Sequence, residues 1–151
     1  MAVTRKMADD VRVETVVTQG GFNYTNAAAA QAYDTGVFLD MREYAEGVGI
    51  FKMDSHGATD TIQCDIIQAT SAAGAGAKAL TGAGYAATTI AAAAGTGACA
   101  AVKFHSNMLD VDGGFRYVGC RATPSGTAGH RISAHLVRMA CHHAAASMPS
   151  A

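Results

Sequence analysis

Six histidines and four cysteines are the residues of this 151-residue chain best suited to holding a metal, so their spacing decides whether a site can be assigned. Cys141 and His143 are two residues apart and would share one face of a strand, with His142 turned the other way. Two ligands do not make a site. His130 and His135 are five apart, which puts them on opposite faces of a strand, and His56 and His105 lie in separate segments with no carboxylate pattern nearby. One arrangement stays open: on the axis of a trimer, a single histidine per subunit would supply three ligands. No residue is assigned as a metal ligand.

Nucleophilic catalysis finds no better constellation. Ser133 with His135, and Ser55 with His56, are local neighbours without a third group to orient the imidazole, and no G-x-S-x-G elbow is present. The glycine-rich stretches around Gly74 and Gly95 lack the G-x-G-x-x-G and Gly-Lys-Ser/Thr patterns that cradle phosphates. Asp110 and Asp112 beside Gly113 have a calcium-loop spacing, but the remaining ligands are missing and a turn is the simpler reading. The expectation is therefore a protein with no catalytic residue, no cofactor-binding residue and no cofactor. Cys64, Cys99, Cys120 and Cys141 are widely spread with no C-x-x-C pair, which suits reduced, buried thiols better than disulfides or zinc. Cys64 between Ile62 and Ile66, and Cys120 between Val118 and Ala122, are expected to be buried, free and unreactive.

The composition narrows the partners. A net charge of -1, from 11 Lys and Arg against 12 Asp and Glu, leaves no cation excess for a phosphate backbone, so nucleic acid is not an expected partner. Charged residues are 15% of the chain against about 25% in typical domains, and Ala and Gly together make up about a third. Such a chain either shields surface in an assembly or carries a low-complexity loop. No window has the run of large apolar residues that a membrane helix needs, Ala86 to Ala101 being Ala, Thr and Gly. No membrane partner is expected. Met1 to Val13 carries five charges and no apolar stretch, so it does not read as a secretory signal, and synthesis and folding in the cytoplasm are expected.

The elements that must position these residues are strands. Val37 to Leu39, Val48 to Phe51, Ile62 to Ile67, Ala101 to His105 and Phe115 to Thr123 are short runs rich in β-branched and aromatic residues. Val118, Cys120 and Ala122 face one way and Tyr117 and Arg121 the other. Glu46-Gly47 reads as a turn before one run, and Asp54-Ser55-His56-Gly57 as a hairpin between two, giving a meander. From Ser71 to Ala101 the alanines favour helix, but the glycines interrupt every window, which predicts long loops with one short strand or turn. Along Arg131 to Cys141 the apolar parity moves from Ile132, Ala134 and Leu136 to Val137, Met139 and Cys141, predicting a bulge or a strand buried on both faces. The sum is an all-β sandwich over 31–151, preceded by an extended N-terminal arm over 1–30 that orders against a neighbour.

The last third of the chain resembles a known group. Leu109-Asp110-Val111-Asp112-Gly113-Gly114-Phe115-Arg116-Tyr117-Val118, then Arg121 to Thr127, then a strand ending in His142-His143-Ala144-Ala145, look like small capsid decoration (cement) proteins of tailed bacteriophages. Val37 to Gln68 is similar to them in order, while the Ala/Gly-rich middle and Cys120 depart. The resemblance implies a jelly-roll-like antiparallel β-sandwich, a homotrimer, on the outer surface of the virion shell, with the major capsid protein as partner. Other virion components, such as a tail-tube, head-completion or fibre protein, form the alternative, followed by a small-ligand-binding domain or enzyme.

Overall fold

The computed structural model describes residues 11–17, 33–34, 38–55, 60–91, 97–125 and 131–140. Strands form where apolar side chains recur at every second position, a spacing that buries one row and leaves the other to solvent. The described strands are β1 (Val11–Val17), β2 (Tyr33–Asp34), β3 (Leu39–Asp40), β4 (Tyr44–Ser55), β5 (Ile62–Ala69), β6 (Lys78–Ala79), β7 (Thr88–Ile90), β8 (Cys99–His105), β9 (Tyr117–Pro124) and β10 (Arg131–Ala140). Apart from one 3-10 turn at Ser106–Met108, no helix occurs among the described residues, so none is long and apolar enough to cross a membrane.

Two sheets result, one ordered β1-β10-β4-β8 and the other β2-β9-β5-β6, with β3 also on β9 and β7 also on β5. Every pairing is antiparallel. The first strand pairs with the last, β2 and β3 with β9, β4 with β8, and β5 with β6 and β7, so the chain is one long hairpin. Wrapping that hairpin brings β10 against β4 and β9 against β5, which is the jelly-roll arrangement. The sandwich expected from the strand runs is present. The meander is not, because β4 and β5 lie in different sheets: of Asp54-Ser55-His56-Gly57, read as a hairpin, Asp54 and Ser55 end β4, and His56 and Gly57 lie outside the described residues. Glu46-Gly47 is likewise no turn but part of the twelve-residue β4.

The core lies between the sheets. Phe51, Met53, Val102, Phe104, Ile132, Ala134 and Leu136 come from one sheet and Ile62, Cys64, Ile66, Val118, Cys120 and Ala122 from the other. Gly47 is required by this packing, since a Cβ there would overlap the Phe104 ring. Gly97, at φ +85°, donates its N–H to the Met53 carbonyl while Met53 donates to the carbonyl of Ala98, a bulge that leads the chain into β8.

Within the 1–30 stretch, 11–17 forms β1 on the edge of the first sheet, and the rest lies outside the described residues. The Ala/Gly-rich segment holds two short strands, β6 and β7, in otherwise irregular chain. Part of it folds over the outer face of the second sheet, where Phe38, Ile67 and Ala69 make a small second cluster. In β10 the inner row runs Ile132, Ala134, Leu136, Arg138 without a switch, register shifts falling at both ends of the strand. The apparent change of parity in the sequence comes from a central strand whose outer row, Ser133, His135, Val137 and Met139, is itself buried or partly buried except at Met139.

Candidate functional site

The histidines and cysteines are placed apart. His105, at the end of β8, has Nδ1 3.5 Å from Glu46 Oε1, an exposed pair set side by side by the β4–β8 register. His135 stands opposite Ile50 on the other side of β4. His56, His130, His142, His143 and Cys141 lie outside the described residues. Among those described, no three metal-binding side chains converge. Ser133 is buried in β10, and Ser55 ends β4. Asp110 does close a turn: its Oδ1 accepts from Gly113 N–H at 3.0 Å while Oδ2 takes a 2.6 Å hydrogen bond from Lys78 Nζ. That contact and the Gly113 N–H hold the Asp110 carboxyl below its ordinary range.

Cys64 and Cys120 are buried and free, as the strand parity predicts, while Cys99 is free and exposed. Burial pushes the Cys64 thiol up to about 12 and Cys120 higher still, because the thiolate has no water to solvate it.

What the described surface offers is contact area. On the outer face of the first sheet, the β4–β10 and β4–β8 registers align Val137, Val48 and Lys103 in one row and His135, Ile50 and Ala101 in the next. Ile50 and Met139 are each 37% exposed there, two of the three large apolar side chains most open to solvent among the described residues. The outer face of the second sheet differs: one end is covered by the Phe38 cluster, and the other sets Asp65 opposite Arg121.

The third exposed apolar side chain, Val111 at 65%, stands at one end of the sandwich beside a cleft of about 450 Å³. Met41, Tyr44 and Leu109 make its apolar wall, and Arg42 and Arg116 its basic rim. Arg116 is already engaged, donating to the Tyr117 hydroxyl at 2.7 Å and lying 3.3 Å from Asp40 Oδ2. Arg138 closes the same end from inside, over the Tyr44 ring at 4.3 Å and donating to the Asp40 carbonyl at 2.7 Å. Sequence reading missed Arg138, because a charged residue at the end of an apolar row resembles a surface position. Its partners Tyr44 and Asp40 are remote in sequence.

The sequence matches no protein-family model and no curated protein. Solved structures do match in shape. The Triatoma virus empty capsid aligns with a TM-score of 0.53 and 8% identity, over 91% of this chain and 95% of that one. A second Triatoma virus structure gives 0.52 and 9% identity over 93% and 70%. The PBSX exported protein XepA gives 0.54 and 15% identity over 87% of this chain, which spans only 38% of XepA. At these identities the likeness is one of fold.

Proposed function

We propose that this chain is a structural virion protein: a decoration or cement protein of a tailed bacteriophage, acting as a homotrimer on the outer capsid surface and bridging neighbouring major capsid subunits. The observation that carries the reading is the jelly-roll pairing of first strand with last, superimposable along nearly the whole chain on a capsid protein of similar extent. The resemblance of Leu109 to Thr127 to phage decoration proteins points the same way. Function then resides in contact area rather than in a reaction. A shell filled with DNA is under outward pressure, and a trimer spanning several subunits links their separation to simultaneous loss of many modest contacts. The outer face around Ile50 and Met139 is suited to such contacts, since it sets exposed apolar side chains among the polar groups of Glu46, Lys103 and His105.

Electron microscopy of the phage particle that carries this chain tests the reading. The expected result is density over the outer shell at the junctions between capsomers, lost from particles lacking the protein and restored on its addition. Density at the portal or within the tail would replace the cement role with that of a head-completion or tail component.

A further inference from the structure

Resting on the trimeric reading above, we propose that the β1-β10-β4-β8 sheet continues from one copy to the next, β8 pairing antiparallel with β1 of its neighbour. Among the described strands β8 pairs only with β4 and β1 only with β10, so these two end the sheet, and each is seven residues long. The second sheet ends in strands of two or three residues, a length that gives a neighbouring chain little to add to. Among the described residues the edges of the first sheet are longer, β1 carrying one register shift between Thr15 and Val17. Its β8 contains no proline, and its register with β4 is unbroken from Cys99 to His105.

Backbone direction is matched as well. The Gly97 bulge turns the Ala98 carbonyl toward β4, so by alternation Ala100, Val102 and Phe104 bond to β4, while Cys99, Ala101, Lys103 and His105 direct N–H and C=O outward. Carried across the sheet, the same alternation points Glu46, Val48 and Ile50 at Met139, Val137 and His135, and Leu136 and Arg138 at Glu14 and Arg12. Val11, Val13 and Thr15 are then left facing outward at the opposite edge. Strand directions alternate along the sheet, so β8 runs opposite to β1, and a neighbour brought up by rotation presents β1 antiparallel.

Aligned end to end, the two strands set Lys103 opposite Val13, Ala101 opposite Thr15 and His105 opposite Val11, each pair joining outward-directed backbones. Two β8 strands paired about Val102 would instead bring both Lys103 side chains onto diagonal positions of one face, where like charges repel. The contact between β8 and β1 is heterologous, so it excludes a two-fold dimer and, with a rotation of one third of a turn per copy, closes into the trimer proposed above.

Ala101→Pro is the direct test, because its N–H faces away from β4 and its loss spares the ladder within the chain. Light scattering is expected to give a trimer for the wild type and a folded monomer for Ala101→Pro, with an unchanged circular dichroism spectrum. In a Cys99→Ser, Cys141→Ser background, Val13→Cys with Lys103→Cys is expected to be joined by a short bis-maleimide into covalent dimers and trimers, and Lys103→Cys alone to stay single. This second measurement decides the matter if Ala101→Pro does not fold. A trimeric Ala101→Pro, absence of cross-linking in the double variant, or dimers from Lys103→Cys alone would overturn the β8 to β1 contact, leaving the cement reading intact if wild-type trimers still attach to shells. A wild-type monomer that attaches to no shell defeats both.

Discussion

Cys64 on β5 and Cys120 on β9 are diagonal neighbours on the inner face of the second sheet: Cys64 pairs with Ala122 and Ile66 with Cys120, and both sulfurs are wholly buried. Burial keeps both thiols protonated, since a thiolate there would have no water to solvate it; the nearby Asp65 carboxylate adds to this at Cys64, and Cys64 adds to it at Cys120. A maleimide or disulfide reagent applied to native protein at pH 8 should modify Cys99 quickly and leave Cys64 and Cys120 untouched until unfolding. Mass spectrometry of the labelled peptides checks this, and rapid labelling of Cys64 would contradict the packing.

Tyr85 fills a gap in the β5 ladder. Between the stretches covered by β6 and β7, the Ile66 N–H donates to the Tyr85 hydroxyl at 2.7 Å, and that hydroxyl donates in turn to the Ile66 carbonyl at 3.4 Å. Tyr85→Phe strands a backbone N–H and should cost about 1–3 kcal/mol, the usual penalty for a polar group left unpaired. Denaturant titration reads it as a lower midpoint with an unchanged slope. A midpoint equal to wild type would mean that water replaces the hydroxyl.

The pair between Lys78 and Asp110 ties the start of β6 to the turn before β9, with the ammonium also 3.9 Å from the Phe115 ring centre. Asp110 has a folded pKa below its unfolded value, so its stabilising effect is present above the unfolded carboxylate range, about 3.9, and is lost as pH falls through the folded value. Lys78→Met should therefore move the acid-unfolding midpoint to higher pH. Acid titrations followed by circular dichroism should show the two proteins converging at the lowest pH, where Asp110 is protonated in both.

Ile50 and Met139 give a way to separate attachment from stability. Both lie on the outer face of the first sheet, partly exposed. Ile50→Lys should cost about 1–2 kcal/mol of stability for the partly covered side chain, leaving the protein folded, yet weaken co-sedimentation with shells by placing an unpaired charge in the contact. Retained attachment with Ile50→Lys and Met139→Lys together would place the contact elsewhere on the sandwich.

The strand runs and their parity were legible in the sequence because alternation is a local property. Ile62, Cys64 and Ile66 on β5, and Val118, Cys120 and Ala122 on β9, could be assigned to a buried face from their own segments alone, and the structure buries all six. The glycines between Gly74 and Gly97 likewise marked the tip of the long hairpin as irregular, since each interrupts a helix locally. Strand partners are a different matter. Glu46-Gly47 reads as a turn, yet Gly47 sits mid-strand because the Phe104 ring, 57 positions further on, occupies the space of its side chain. Nothing local to Arg138 marks it as buried; the fold delivers Tyr44 and Asp40 to cover it. Local periodicity decided which residues are strands and which faces are apolar. Only the wrapping of the hairpin, by pairing segments distant in sequence, decided which of the described strands lie at the sheet edges and which apolar rows face outward.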